Sequence, residues 1–313
     1  MQLEGIHHIT AITADAQANV DFYAGVLGLR LVKKSVNQDD TSVYHLFYAD
    51  ETGDPGSDIT FFEYPGVPRG RPGAGMVHRI VWRLAGAKAL DFWAERLANH
   101  GVDVTRTDAS VVFDDPEGLT HELRVIETSD PPLIADHPEI PAEMALQGFH
   151  AVRAYTEDPE RSQSLLEGTL GFVPIPHGPV QLAAYERRGE HRGSVYMYDS
   201  PPPERGLQGA GSIHHVAWAA EPDDIEAWQQ RVTAAGARAT PVIDRYYFRS
   251  VYFREPSGVL FEIATIGPGF TVDEPLDQLG HKLSLTPQYE HLRDQIEPTL
   301  TPLRNPRDSW ATR

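Results

Sequence analysis

The sequence of 313 residues contains no cysteine. Disulfides, thiolate metal ligands and cysteine nucleophiles are therefore excluded, and any bound metal must be held by nitrogen and oxygen atoms. The chain also lacks a run of eighteen apolar residues, and its first residues, MQLEGIHH, lack the basic and apolar segments of an export signal. Together these absences predict a cytoplasmic protein that does not cross a membrane.

Basic residues are scarce, since 27 lysines and arginines stand against 45 aspartates and glutamates and give a formal charge of −18. Nucleic acids and anionic membrane surfaces bind basic surfaces, so both are disfavoured as partners. Hydrophobic residues make up 41% of the chain, which is enough for packed globular domains. A small molecule is therefore the expected partner, and the sequence leaves a homo-oligomer open.

Four segments of the chain share one order of predicted elements: a strand with a histidine near its start, an amphipathic helix and further strands. The opening strands are GIHHITAIT at Gly5, MVHRIVWRL at Met76, GFHAVRAYT at Gly148 and SIHHVAWAA at Ser212. Their first histidines, spaced by 71, 72 and 64 residues, are His7, His78, His150 and His214. This regular spacing predicts four βαβββ modules in an α+β fold.

Apolar residues recur at helical spacing after the first, second and fourth opening strands. They predict helices over 16–28, 87–101 and 223–236, each of which ends in a glycine. Strand-like segments then close each module, and in the fourth module Pro-Ser-Gly predicts a hairpin turn within 250–265.

A proline-rich stretch, SDPPLIADHPEIPAEM (129–144), separates the first two modules from the last two. Proline-rich segments of this kind commonly connect domains. The stretch predicts an N-terminal domain over 1–128, a linker over 129–145, a C-terminal domain over 146–270 and a tail over 271–313 with one short helix.

These modules carry motifs that resemble the vicinal oxygen chelate superfamily: HHIT near the N-terminus, FYAGVLGLR in the first helix, and HHVA and LFEIAT near the end. Within that superfamily the chain is similar to ring-cleaving dioxygenases of the hydroquinone 1,2-dioxygenase type, from about Leu3 to about Gln288. The resemblance implies two paired vicinal oxygen chelate domains with cupped mixed β-sheets, in which the first and last modules meet. It also implies an extradiol-type dioxygenase that opens a hydroquinone- or catechol-type ring with O₂ and Fe(II), or alternatively Mn(II).

The two His-His pairs raise a geometric question, because successive side chains of a strand face opposite sides of the sheet. The first histidine is present in every module, which is typical of a structural role. The next position differs between the modules and holds His8, Arg79, Ala151 and His215. Only modules one and four therefore have an imidazole where the family has a metal ligand.

A third, anionic ligand is expected four residues after a glycine in the last strand of a module. That position holds, in modules one to four, Thr60, Glu122, Met197 and Glu262. With His8 and His215, Glu262 completes the two-histidine, one-carboxylate triad of Fe(II) enzymes that bind substrate and O₂ together. Modules two and three should hold no metal.

Two other acids lie near these positions in the sequence. Glu63 is an odd number of residues from Thr60 and should face the opposite side of a regular strand. Glu63 and Glu122 are both expected to be solvated or salt-bridged acids on the surface.

The resemblance implies four further site residues around the metal, namely Thr10, His214, Arg245 and Tyr252. Thr10 shares a strand face with His8, whereas His214 should point away, so that its family role requires either a local twist or a position behind the metal ligands. Tyr252 could donate or accept a phenolic proton, and Arg245 could stabilise an anionic oxygen.

Two other functions stay open at this point. A glyoxalase-like isomerase or lyase normally has a four-residue metal shell, which Thr60 does not complete. A non-catalytic binding protein of the same superfamily would have no need of a metal triad.

Overall fold

The computed structural model describes residues 1–310. Within that range sixteen strands form two eight-stranded mixed sheets. The strands are β1 (Leu3–Thr13), β2 (Arg30–Asn37), β3 (Asp40–Ala49), β4 (Asp58–Glu63), β5 (Val77–Leu84), β6 (Val104–Arg106), β7 (Ser110–Asp114), β8 (Thr120–Val125), β9 (Phe149–Tyr155), β10 (Val173–Pro174), β11 (Gln181–Arg188), β12 (Gly193–Asp199), β13 (Ile213–Ala220), β14 (Ile243–Asp244), β15 (Arg249–Arg254) and β16 (Leu260–Thr265).

Four α-helices lie between the strands in the predicted order, and a fifth lies in the tail. The α-helices are α1 (Ala16–Val20), α2 (Ala87–Asn99), α3 (Glu160–Gln163), α4 (Ile225–Ala234) and α5 (Arg293–Ile296). Two of them, α1 and α3, continue as π-helical turns over Asp21–Val26 and Ser164–Thr169. Turns of 3₁₀-helix cover Pro222–Asp224, Phe270–Val272, Leu276–Gln278, Glu290–Leu292, Glu297–Thr299 and Pro306–Ser309. Gly101 and Gly236, two of the predicted stop residues, have φ angles of +75° and +92°, as expected after a helix C-terminus.

Each sheet combines one module from either side of the proline-rich stretch. The first sheet has the order β14-β15-β16-β13-β1-β4-β3-β2 and joins modules four and one. The second has the order β10-β11-β12-β9-β5-β8-β7-β6 and joins modules three and two. The predicted α+β architecture is confirmed, including the meeting of the first and last modules. The stretch 129–144 therefore separates modules along the chain but does not separate the sheets.

The repeated histidines lie at irregular points of the central strand pairs. Where β1 pairs with β13, the register shifts by one residue between Ile6 and Ile9, and again at His214. Where β5 pairs with β9, the corresponding shifts fall at His78 and His150. A β-bulge of this kind bends the strand and increases its twist. The strands are therefore irregular at these histidines, where the sequence predicted regular strands.

The two faces of the first sheet differ in what covers them. Helices pack on one face, where Trp228 of α4 and Tyr23 of the first π-helical turn belong to the main hydrophobic core. A smaller cluster, which includes Phe47, Phe248 and Phe270, covers the other face. This second face carries the candidate site.

The tail residues 271–310 pack against the first sheet beside that cluster. The Lys33 ammonium, which is fully buried, donates to Asp273 at 2.7 Å and also contacts Glu274. Ser35 donates to the backbone oxygen of Ser284 at 2.7 Å. The tail thereby supports one wall of the site. No helix in residues 1–310 is long and apolar enough to span a membrane.

Candidate active site

Three buried side chains bring their donor atoms together at the centre of the first sheet. The Nε2 atoms of His8 and His215 are 3.2 Å apart. Each of them also faces Oε2 of Glu262, at 3.1 Å from His8 and 2.9 Å from His215. Within residues 1–310 this is the one set of three or more histidine, aspartate or glutamate side chains whose donor atoms lie within 4.8 Å of one another.

The protonation of His8 follows from its hydrogen bonds. His7 Nε2 lies 3.0 Å from the backbone oxygen of Thr265, which can only accept, so His7 carries its proton on Nε2. Burial lowers the pKa of His7 to about 3, and the imidazole is therefore neutral. His7 Nδ1 is then an acceptor, and His8 Nδ1, at 2.9 Å, must donate to it. In neutral His8 the lone pair is then on Nε2, and it points at Glu262 and His215.

The second pair repeats this arrangement. His214 Nδ1 is 2.8 Å from His215 Nδ1, and burial lowers the pKa of His214 to about 4. A neutral His214 can accept from His215 Nδ1 and leave the lone pair of His215 Nε2 free. The bulge at His214 makes this contact between neighbours geometrically accessible. The His214 ring packs against Phe62 and His215, but the residue is still open to solvent on one side and does not line the cavity.

Glu262 has two different oxygen atoms. Its Oε1 accepts a hydrogen bond from Ser250, whereas its buried Oε2 has only the Nε2 atoms of His8 and His215 beside it. Burial alone would raise the pKa of Glu262, but His8 and His215 lower it well below its usual range. Glu262 is therefore an anion whose Oε2 faces the Nε2 atoms of both histidines.

This donor set fits a divalent cation. Ligand atoms about 2.1 Å from a metal lie about 3.0 Å apart on the face of an octahedron, and about 3.4 Å apart in a tetrahedron. The three observed separations, between 2.9 and 3.2 Å, match the octahedral face. Burial opposes a positive charge on His8, yet Glu262 raises the pKa of His8, so these atoms attract a proton, whose place a metal cation would take. Two imidazoles and one carboxylate are ligands that Fe(II) and Mn(II) accept.

A cavity opens beside the donor atoms. Its lining includes His8 and His215 and also Thr10, Arg245 and Tyr252, so three of the four other predicted site residues face it. The segment that contributes Arg245 also contains Tyr246, which has φ +72° and is the one non-glycine residue in 1–310 with positive φ. Strained backbone of this kind persists only where its surroundings enforce it and is common at functional sites.

Tyr252 and Arg245 form one hydrogen-bonded unit. The Arg245 guanidinium donates through Nε to the Tyr252 hydroxyl at 3.3 Å and forms an ion pair with Asp39 at 3.0 Å. Burial and the charge of Glu262 raise the pKa of Tyr252, although Arg245 opposes the shift. Tyr252 is thus a protonated phenol whose oxygen already accepts one bond, and its own proton is available to a ligand in the cavity.

His45 lines the same cavity, and sequence reasoning did not identify it. Its Nε2 is 2.9 Å from the Thr60 hydroxyl, which is 2.8 Å from the Thr10 hydroxyl. The sequence did contain an indication: His45 lies two residues before Phe47 in strand β3, so the two side chains are expected on the same face of the sheet.

The second sheet has a different set of residues in the corresponding positions. Glu122 is opposite Val81 in β5, just as Glu262 is opposite Ala217 in β13. Arg79 donates to Glu122 at 3.0 Å, and Arg153 lies 3.5 Å from the same oxygen. Two guanidinium groups therefore neutralise the Glu122 carboxylate in the second sheet, whereas two imidazoles face the Glu262 carboxylate in the first.

The expectation that Glu122 and Glu63 lie on the surface is wrong. Glu122 is salt-bridged, as expected, but it is buried between the two arginines. Glu63 is also buried, and it accepts a hydrogen bond from the backbone nitrogen of Ala16 at 3.0 Å, at the start of α1. The helix N-terminus supplies the unpaired donor that makes this burial favourable.

Comparison with known proteins gives a consistent result. A family model described as the Glyoxalase/Bleomycin resistance protein/Dioxygenase superfamily matches residues 5–123 and 148–263. MhqA of Bacillus subtilis (strain 168), whose name describes it as a ring-cleaving dioxygenase, is 38% identical over 97% of this chain and 100% of its own length. The chlorohydroquinone/hydroquinone 1,2-dioxygenase of Sphingobium indicum is 32% identical over 96% of both chains.

Solved structures give the same fold. A crystal structure from Bacillus subtilis, of a protein named as a dioxygenase, superposes with a TM-score of 0.91 at 40% identity, covering 97% of this chain and 98% of the other. Glyoxalase I from Zea mays superposes with a TM-score of 0.57 at 17% identity, covering 83% and 92%. At this low identity the second likeness concerns the fold alone.

Proposed function

Because this chain belongs to the Glyoxalase/Bleomycin resistance protein/Dioxygenase superfamily, we propose that it is an Fe(II)-dependent, extradiol-type dioxygenase that opens a dihydroxy aromatic ring with O₂. The observation that carries the proposal is the buried triangle of His8, His215 and Glu262, whose Nε2 and Oε2 atoms converge within 3.2 Å of one another. The substrate class is a hydroquinone or a catechol, and relatives named as ring-cleaving dioxygenases support it.

The protein would hold the metal through three atoms and leave the remaining positions for substrate and O₂. Bound Fe(II), or alternatively Mn(II), supplies the redox chemistry that joins O₂ to the ring beside a hydroxylated carbon. The remaining task of the side chains is to bind the ring, orient it and move protons.

Tyr252 and Arg245 are suited to that task. The Tyr252 phenol can donate its proton to an oxygen atom in the cavity, because Arg245 already satisfies its acceptor side. The guanidinium also supplies positive charge next to the cavity where an anionic substrate oxygen would lie. Phe248, which lies against His8 with ring centroids 5.1 Å apart, offers an apolar wall for an aromatic ring.

Thr60 disfavours a glyoxalase-like isomerase. It occupies, in module one, the position that Glu262 occupies in module four, so that a four-ligand shell would need it as the fourth donor. Its hydroxyl is engaged by Thr10 and His45 at 2.8 and 2.9 Å. A binding protein without catalysis, in turn, would gain nothing from the buried triad.

The deciding experiment is O₂ uptake after anaerobic loading with Fe(II), compared side by side for hydroquinones and catechols, with Mn(II)-loaded protein in parallel. We expect one O₂ to be consumed for each ring opened, and no uptake by the Glu262→Gln variant. A glutathione hemithioacetal should not be isomerised. Isomerisation without O₂ consumption would overturn the proposal in favour of the isomerase.

A further inference from the structure

Modules one and four place equivalent residues on the two sides of the cavity. In module four, Glu262 of β16 is opposite Tyr252 of β15, and Ser250 lies two residues before Tyr252. In module one, Thr60 of β4 is opposite Phe47 of β3. By the same count, the module-one counterpart of Ser250 is His45.

Ser250 and His45 each contact the residue at the ligand position of their own module, but the chemical groups in contact differ. Ser250 donates to the carboxylate of Glu262, which faces the metal-ligand histidines. His45 Nε2 instead contacts the hydroxyl of Thr60 at 2.9 Å. Module one thus has an uncharged imidazole–hydroxyl pair where module four has a serine–carboxylate pair.

The His45 ring is held firmly and still reaches the cavity. Its centroid lies 3.9 Å from that of Phe47 and 4.4 Å from that of Phe62. The ring is partly exposed, and it lines the cavity together with His8 and His215. No side chain or backbone group in residues 1–310 forms a hydrogen bond with its Nδ1.

His45 is a neutral imidazole, which can accept a proton at one nitrogen while it releases a proton from the other. Burial, together with His8, His215 and Arg245, lowers the pKa of His45 well below its usual range. A neutral imidazole has one protonated and one unprotonated nitrogen, so proton gain at one nitrogen can be matched by proton loss at the other.

We propose that His45 is a catalytic residue that accepts, at Nδ1, the proton of the substrate hydroxyl that the metal does not bind. Thr60 and Thr10 then carry a proton from Nε2 back to the cavity. This inference rests on the proposed function, since it needs an aromatic ring with two hydroxyl groups.

The proton transfer is balanced in every step. The substrate O–H bond breaks, its electron pair stays on the substrate oxygen, and an N–H bond forms at His45 Nδ1. The proton on Nε2 passes to the Thr60 oxygen, and the Thr60 proton passes to the Thr10 oxygen, 2.8 Å away. Thr10 gives its own proton to an oxygen atom of a ligand or water in the cavity, which Thr10 also lines. No net charge remains on these buried side chains, where an isolated charge would be costly.

The test uses the metal-loaded full chain and two ligands, hydroquinone and 4-methoxyphenol, in which one hydroxyl is a methyl ether without a proton. Three variants are compared with the parent protein: His45→Phe, Thr60→Val and His100→Gln. His100 is an exposed histidine after α2 and serves as the control. Metal content is measured first, then the anaerobic dissociation constants of both ligands, and then O₂ uptake per bound metal.

We expect the parent to bind hydroquinone about 10-fold more tightly than 4-methoxyphenol, the difference that one hydrogen bond makes. His45→Phe should remove this preference and lower turnover by about 10²–10⁴-fold, the usual size of an acid–base contribution. Thr60→Val should keep the preference but lower turnover, because it breaks the path from Nε2. His100→Gln should match the parent.

Two failures are distinguishable. If the parent opens rings and His45→Phe keeps both its preference and its turnover per metal, the role of His45 is overturned and the proposed function stands. If the parent consumes no O₂ with any dihydroxy aromatic, the proposed function fails, whereas the anaerobic binding preference still decides whether His45 contacts the second hydroxyl.

Discussion

The Nδ1 atoms of His7 and His8 lie 2.9 Å apart, although the two residues are neighbours in one strand. Only an irregular strand allows this contact, and the register of β1 shifts between Ile6 and Ile9. The contact links Thr265, His7 and His8 in one chain of hydrogen bonds. Through that chain the backbone of β16 determines which nitrogen of His8 is free to bind a metal.

His7→Phe should therefore weaken metal binding without removing a ligand. The variant loses the acceptor that orients His8 Nδ1, and losses of this kind typically lower metal affinity by about 10–100-fold. The measurement is the apparent dissociation constant for Fe(II) or Mn(II) in competition with a chelator. His78→Phe is the matched control, because His78 holds the same position in the second sheet and bonds to Asp199 at 2.8 Å. Equal affinity of the His7 variant and the parent would contradict the assignment of the His8 proton.

Metal content should depend on modules one and four and not on module two. Glu262→Gln removes the anionic donor and should reduce bound metal from about one per chain to a small fraction. His8→Ala and His215→Ala should have the same effect. Glu122→Gln, the same substitution in the corresponding position of the second sheet, should retain the metal, since Arg79 and Arg153 neutralise Glu122. Full occupancy in the Glu262 variant, measured by elemental analysis, would exclude this ligand set.

Tyr252→Phe should slow turnover while the metal remains bound. The variant keeps the ring but loses the proton that the phenol can donate, which predicts a decrease of about 10²–10⁴-fold or less. O₂ uptake normalised to bound metal measures this effect. Tyr155→Phe provides a control, because Tyr155 stacks on His78 in the second sheet, with ring centroids 3.8 Å apart. A parent-like rate in the Tyr252 variant would show that this hydroxyl only supports Arg245.

The repeat predicted the fold because each module has to place the same strands around the same core. Comparing equivalent positions selected His8, His215 and Glu262, and these three side chains converge in the structure. Such a comparison identifies equivalent positions, but it does not predict where a strand contains a β-bulge or a shift of register. The bulge at His214 was therefore not foreseen, although the need for a local twist there was recognised.

His45 was missed for a related reason. It belongs to a strand that carries no histidine in the other modules, so no repeat singles it out. Its role depends on Thr60, which was considered only as a ligand position without a ligand. The buried state of Glu122 was also hidden, because one of its two arginine partners, Arg153, comes from another module and is adjacent only after the second sheet has formed.

Asp58 provides a test of electrostatics that is independent of catalysis. The side chain is 1% exposed, and neither carboxylate oxygen has a hydrogen-bond partner in residues 1–310. Burial raises the pKa of Asp58 to about 7; Asp50 and Glu262 add to the shift, whereas His8, directly opposite in β1, opposes it. An aspartate in the unfolded chain has a pKa of about 3.9.

Between about pH 4 and pH 7 the folded protein therefore holds one proton more than the unfolded chain at this position, and the free energy of unfolding should fall as the pH rises through that window. The slope is at most about 1.4 kcal/mol per pH unit, and it ends near pH 7, where the folded carboxyl also ionises.

In metal-free protein, Asp58→Asn should remove this slope, so that the variant gains stability relative to the parent by on the order of 1–3 kcal/mol between pH 5 and pH 8. Denaturant unfolding at both pH values measures the difference, with Asp108→Asn as an exposed control. Metal loading should lower the pKa of Asp58, because a cation bound by His8 would lie on the neighbouring strand, and the advantage of the variant should shrink. An advantage that is the same at pH 5 and pH 8 would mean that Asp58 is not the protonated group.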